Sequence, residues 1–255
     1  MAAIGVRDAA HRPGGYGPGV LRVYHREYAG RPIRALWTLE EIGAPYELTL
    51  MSWEQGSGEE HRARHPLGRV PVLEDDEGFV FESTAICLHL ADLHPQAGLL
   101  PALGTHGRAL AYQWSCFAPA ELEPPLIEAA TFRESDPDRA ANARVRFVAA
   151  AGAVTAALAG SDYLVGARFG VADVLIATAL SIPERAGFPE EVSPDLKAYV
   201  ARLRERPCWM LLERILWEML FRASAWNGPI VAFWRPPAKV CRPASGSRGS
   251  HCCWE

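Results

Sequence analysis

The sequence predicts an α/β domain followed by an all-α domain. In the first hundred residues apolar positions alternate between strand and helix periods. A run carrying Pro95, Pro101 and several glycines then interrupts the pattern, and beyond it only the helical period remains.

Residues 1–20 hold Pro13, Gly14, Gly15, Gly17, Pro18 and Gly19 without periodicity, the pattern of a flexible leader, so folded structure is expected from Leu21. Residues 21–25 form a short strand. Ile33, Leu36, Trp37 and Ile42 recur at helical spacing up to Gly43, a helix stop, and a strand follows at 46–50. Strand, helix and strand in that order suit a parallel pair joined by a crossover helix. After a polar, helical connector over 54–64, short strands at 70–73 and 79–81 flank Glu74, Asp75, Asp76, Glu77 and Gly78, an acidic hairpin turn. Ser83 opens a helix through Leu93 that Pro95 stops.

This gives an α/β domain over 21–94, a linker over 95–104 and an all-helical domain over 105–222. Helices are expected at 105–128, 138–158, 171–182, 194–205 and 207–221, a bundle of five. The remainder, 223–255, is rich in Pro, Gly, Ser, Trp and Cys and carries Arg235, Lys239, Arg242 and Arg248 against Glu255; it is expected to be a disordered tail.

Composition narrows the function classes. The 255 residues are 49% hydrophobic and 22% charged, enough to bury a sizeable core, and the formal net charge of −4 gives no broad attraction to nucleic acid or an anionic membrane. The longest apolar stretches, 148–158 and 171–180, are too short to span a bilayer, and the start lacks a basic region followed by an apolar run, so a cytoplasmic protein is expected. Of the six cysteines, Cys87, Cys116 and Cys208 lie in apolar helical patterns rather than at metal-ligand or disulfide-framework spacing. Reduced, buried thiols and no metal are expected.

Two segments carry chemistry. In Gly68-Arg69-Val70-Pro71-Val72-Leu73-Glu74 a proline begins a strand after a Gly-containing turn; a cis bond there leaves the Val70 N–H and C=O free to pair with an extended ligand. In Phe81-Glu82-Ser83-Thr84-Ala85-Ile86 a strand ends in a carboxylate and a helix opens with hydroxyls: free N–H groups and the Ser83 hydroxyl suit a ligand carboxylate, while Glu82 accepts from an ammonium. Alone, the first reads as an edge-strand proline and the second as a plain N-cap. Their joint spacing in one strand–strand–helix unit favours an amino-acid head group.

With Arg34-Ala35-Leu36-Trp37-Thr38-Leu39-Glu40-Glu41-Ile42-Gly43-Ala44-Pro45-Tyr46-Glu47 preceding them, these segments resemble the glutathione-transferase family over roughly residues 21–221. The resemblance implies a thioredoxin-like N-terminal domain. It implies that Val70 holds the cysteinyl backbone of glutathione beside Arg69, that Pro71 is cis, and that Glu82 and Ser83 bind the γ-glutamyl group. In the second domain, Phe169-Gly170-Val171-Ala172-Asp173-Val174-Leu175 resembles the family's helix-start signature with Gly170 at the cap, where Ser or Thr is usual. Asp173 can still reach back to the Gly170 N–H.

The resemblance further implies glutathione as co-substrate with no resident cofactor, a small apolar electrophile as second substrate, and a homodimer. Its usual thiol-activating residues are out of register: Gly30 stands where many members carry the catalytic serine, His25 near the tyrosine of other classes and Glu27 near the cysteine of the omega class. Tyr28 is the nearest hydroxyl, and Arg31 and the open N–H groups at the start of the helix add positive charge, so Tyr28 and Arg31 are the candidate catalytic residues. Trp37 and Trp114 are expected in the core, although Tyr112 and Trp114 also form a candidate co-substrate pocket. Conjugation, a related isomerase or dehalogenase reaction, and a non-catalytic glutathione-binding or interaction module all stay open, the last because of Gly30 and Gly170.

Overall fold

The structure, a computed structural model, describes residues 3–4, 21–26 and 30–213. Tyr28, most of the leader, Cys241, Cys252, Cys253 and the expected tail lie outside the described residues.

Strand β1 (Ala3–Ile4), strand β2 (Leu21–Arg26), helix α1 (Pro32–Ile42), strand β3 (Tyr46–Met51), helices α2 (Trp53–Ser57) and α3 (Glu59–Arg64), strands β4 (Val72–Asp75) and β5 (Gly78–Phe81) and helix α4 (Ser83–Leu93) build the first domain. The sheet runs β1-β3-β2-β4-β5, with β2 and β3 parallel and the other pairs antiparallel. This is a thioredoxin-like arrangement. The edge strand β1 falls in the segment expected to be a leader without structure, and that expectation is corrected at Ala3 and Ile4. Pairing to the free edge of β3 uses backbone groups alone and leaves no side-chain period to read. The acidic turn closes as expected, with the Asp75 carboxylate accepting from the Glu77 and Gly78 N–H groups at 2.9 and 3.0 Å.

The second domain comprises α5 (His106–Phe117), a π-helical segment (Ala118–Leu122), α6 (Glu123–Thr131), α7 (Pro137–Ala157), α8 (Val171–Leu180), α9 (Ile182–Ala186) and α10 (Pro194–Arg204), and residues 207–213 are helical again. The helix expected over 105–128 is thus two helices with a widened turn between them. Pro119, Pro124 and Pro125 bring no N–H, so three rungs of the regular ladder are lost there, and the Glu123 N–H bonds five residues back to the Ala118 carbonyl.

The domains meet along α1, α4 and α8. Every residue of α8 is buried, and α1 is buried from Pro32 through Glu40. A helix covered on all sides must place its polar residues against partners. Trp37 packs against Phe169 and edge-on against Trp209, with ring centroids 5.5 and 4.6 Å apart, so it belongs to the core. The start of α8 presses on the linker: the Val171 N–H donates to the Leu99 carbonyl at 3.0 Å, and a Cβ at position 170 would lie 2.7 Å from that oxygen. Close approach of backbone to backbone therefore requires Gly170. Asp173 supplies the missing cap, accepting from the Gly170 N–H (2.9 Å), the Leu164 N–H (3.0 Å) and the Tyr199 hydroxyl (2.7 Å).

Candidate functional site

Register brings the chemistry-bearing segments to one end of the sheet. Tyr24, near the C-terminal end of β2, pairs with Val72 at the start of β4, and Val72 pairs with Phe81 at the end of β5. The entry to α1, the Val70–Pro71 peptide and the entry to α4 therefore share that end. Two helix N-termini point their positive dipole ends there.

The Val70–Pro71 bond is cis. Val70 is half-buried and precedes the ladder, which begins at Val72. The Arg69 side chain is exposed, while its carbonyl accepts from the Nε2–H of the buried His61 at 2.8 Å. Glu82 holds φ +70° and ψ 115°, a conformation rare for a residue with a side chain; such strain concentrates where the backbone must present a group. Its side chain is exposed and Ser83 behind it is buried. Nearby His65 is buried against Phe81, with ring centroids 4.7 Å apart, and burial holds its pKa below the ordinary value despite the pull of the Glu82 carboxylate.

At the entry to α1, Gly30 is exposed and Arg31 half-buried. Arg31 donates from Nε to Glu123 Oε2 at 2.8 Å. The other oxygen of Glu123 accepts from Arg34, and both side chains of that pair are about 2% exposed. Arg34 also donates to Thr178 Oγ1 at 2.8 Å, to the Leu175 carbonyl at 3.3 Å and to Ser83 Oγ at 3.3 Å. Arg34 and Glu123 escaped the sequence reading. Arg34 stands between Ile33 and Ala35 and Glu123 between Leu122 and Pro124, a weak signal that does not separate Glu123 from the nearby exposed Glu121.

His25 is buried. Its Nδ1–H donates to the Arg26 carbonyl at 2.6 Å, its Nε2 is buried without a hydrogen-bond partner among the described residues, and burial pushes its pKa down to about 4. It stays neutral at physiological pH.

Tyr112 and Trp114 do not converge. Two positions on a helix diverge by about 200°. The Tyr112 hydroxyl accepts from Arg108 Nε at 2.9 Å, beside the linker, where Arg108 also holds the Pro101 carbonyl at 2.8 Å and the Asp92 carboxylate. Trp114 is in the core, edge-on to Phe117 at 5.2 Å. Their divergence along α5 leaves Trp114 in the core and Tyr112 beside the linker, and a co-substrate pocket formed by the two stays a proposal. A cleft of about 660 Å³ between the linker and the start of α8, lined by Leu99, Pro101, Leu103, Val165 and Phe169 among others, contains neither of them.

The thiols also depart from expectation. Cys87 is buried, Cys208 is partly buried and donates to the Glu40 carbonyl at 3.3 Å, but Cys116 is exposed because it lies on the solvent face of α5. Among the described residues no group of three or more His, Cys, Asp or Glu is placed to hold a metal ion, and no helix is long and apolar enough to cross a membrane.

A thioredoxin-like domain with a cis-proline strand start and a serine-led helix at one sheet end, docked on an all-helical domain, defines the class of two-domain proteins built like glutathione transferases. Family models agree: the N-terminal domain of glutathione S-transferase matches residues 19–92 and the C-terminal domain matches residues 107–207. Glutathione S-transferase GstB of Escherichia coli (strain K12) is 32% identical over 201 residues, covering 74% of this chain and 95% of that protein. Glutathione S-transferase 4 of Zea mays is 42% identical over 96 residues, 37% of this chain and less than half (43%) of the maize protein's length. The sphingomonad glutathione S-transferase solved in complex with glutathione is 26% identical, with a TM-score of 0.66 over 76% of this chain and 98% of its own. The chain belongs to the glutathione S-transferase family.

Proposed function

We propose that the protein is a glutathione transferase that joins the glutathione thiolate to an apolar electrophile. The observation that carries this reading is the convergence, by strand register, of the α1 entry, the Val70–Pro71 peptide and the Glu82–Ser83 step at one sheet end. The family relationship and the glutathione complex of the sphingomonad relative support it.

In this reading the cysteinyl backbone of glutathione pairs with Val70, flanked by Arg69 and Pro71. Its γ-glutamyl ammonium meets Glu82, and its carboxylate meets the Ser83 hydroxyl and the N-terminus of α4. The sulfur then lies over the start of α1. A thiol with an ordinary pKa near 8.5 needs about 2 kcal/mol of selective thiolate stabilisation to ionise near neutrality. Tyr28 donating to sulfur, the open N–H groups at the α1 entry and the charge of Arg31 supply it. The thiolate lone pair attacks an electrophilic carbon, the C–S bond forms as the leaving group departs with its bonding pair, and glutathione is consumed as co-substrate. The protein acts as a homodimer. Isomerisation or dehalogenation would use the same thiolate with a different second substrate.

Gly30 favours a second reading, a non-catalytic glutathione-binding module, because the position offers no hydroxyl. Turnover of a general electrophile by protein that binds glutathione separates the two: conjugation above the uncatalysed rate supports the transferase, and binding without turnover supports the module.

A further inference from the structure

Arg34 is a buried cation whose donors are divided among three elements: Thr178 and the Leu175 carbonyl on α8, Glu123 at the head of α6, and Ser83 at the head of α4. Charge compensation alone requires only Glu123. The bond to Ser83 is of a different kind, because a guanidinium can only donate. Ser83 Oγ is therefore the acceptor in that bond, and its own O–H must point elsewhere. Among the described residues that O–H meets no acceptor, although the side chain is buried. It lies at the sheet end occupied by the strained Glu82 and the first turn of α4.

We propose that Arg34 is a positioning residue for recognition of the ligand's carboxylate. By filling the acceptor site of Ser83 it fixes the hydroxyl as a donor toward the bound carboxylate, and its positive charge polarises that donor. Glu123 and Thr178 hold Arg34 in turn, so the helical domain sets the affinity of a subsite whose ligand contacts lie in the other domain. The inference rests on the reading of Glu82 and Ser83 as the γ-glutamyl site.

The test is a double-mutant cycle measured by calorimetry on the full chain, with two ligands: glutathione, and glutathione whose glutamyl α-carboxylate is converted to a carboxamide. Arg34→Lys keeps the charge but not the fork that reaches Ser83, Glu123 and Thr178 together. The parent is expected to prefer glutathione over the carboxamide. Arg34→Lys should reduce that preference about 10-fold, the scale of one charge-assisted hydrogen bond, and Ser83→Ala should reduce it similarly. The double variant should be no worse than Ser83→Ala alone. A merely structural Arg34 would weaken both ligands equally. Should Arg34→Lys not fold, Thr178→Val, which retains the ion pair to Glu123, is expected to erode the same preference by a smaller factor. Preservation of the preference in the foldable variant, equal loss for both ligands, or additive losses in the double variant overturns the inference alone. A parent that binds neither ligand, or both alike, overturns the subsite reading and the inference with it.

Discussion

The buried carboxylate of Glu123 on the helical domain is ion-paired with the buried guanidinium of Arg34 on α1, and the pair crosses the boundary between the two domains. Removing one partner leaves the other charge buried without compensation, which costs about 3–5 kcal/mol, whereas replacing both by apolar residues of similar size is often near neutral. Glu123→Ala is therefore expected to lower the denaturation midpoint strongly. The double variant Arg34→Met, Glu123→Leu should recover most of that stability while still losing glutathione affinity. Chemical denaturation of the three proteins checks this; a Glu123→Ala midpoint equal to the parent's would show the pair to be dispensable.

Gly170 is the second position where the fold leaves no latitude. A methyl group would lie 2.7 Å from the Leu99 carbonyl oxygen, a backbone atom that cannot swing aside. Gly170→Ala is expected to destabilise the protein by about 1–3 kcal/mol, the usual range for overpacking. Thermal melts should show a lowered midpoint with glutathione binding at low temperature intact.

His25 makes stability depend on pH. Its folded pKa, about 4, lies below the ordinary 6.5, so between those values the unfolded chain binds the proton and the folded chain does not. Stability then falls as pH drops from 6.5 toward 4, by roughly 3 kcal/mol in all. His65, shifted in the same direction by burial, adds to the slope. His25→Asn, whose amide can still donate to the Arg26 carbonyl, should flatten the profile of unfolding free energy against pH; an unaltered slope would contradict the assignment.

Thiol reactivity should separate the three described cysteines. Burial pushes the Cys87 and Cys208 thiols up to about 11, and Cys116 is exposed. At neutral pH, alkylation followed by peptide mass mapping is expected to mark Cys116 first and Cys87 only after unfolding.

Much of this was legible in the sequence, and the exceptions have physical causes. Strands β2, β3 and β5 and helix α4 follow from apolar period and from Gly43, Ser83 and Pro95 as punctuation, because half-buried strands and capped helices print those signals directly. The cis Val70–Pro71 bond came through resemblance. Helix α1 conceals its second buried face: periodicity marks Leu36 and Trp37 but cannot show that Arg34 is buried beside them, since its partners lie 89 and 144 positions away. The break between α5 and α6 was missed although the prolines were visible, because a π turn keeps the rod continuous. The local bond from Arg108 to the Tyr112 hydroxyl has no counterpart in the apolar period, so the sequence does not show it.

In the proposed reading Tyr28 is the hydroxyl that activates the thiol. Tyr28→Phe is expected to slow conjugation about 30-fold, the rate equivalent of about 2 kcal/mol, and to raise the pKa of the bound thiol. Arg31→Ala should have the smaller effect, because Glu123 already engages the Arg31 guanidinium. Rate against pH for both variants checks the order.

The most direct measurement is a calorimetric titration of the full chain with glutathione, with absorbance in the thiolate band recorded across pH. A saturable complex whose thiol ionises below the free value is the result expected of a transferase. Binding with an unshifted thiol, or no binding, would contradict the assignment of thiolate chemistry to the sheet end formed by α1, Val70–Pro71 and Ser83.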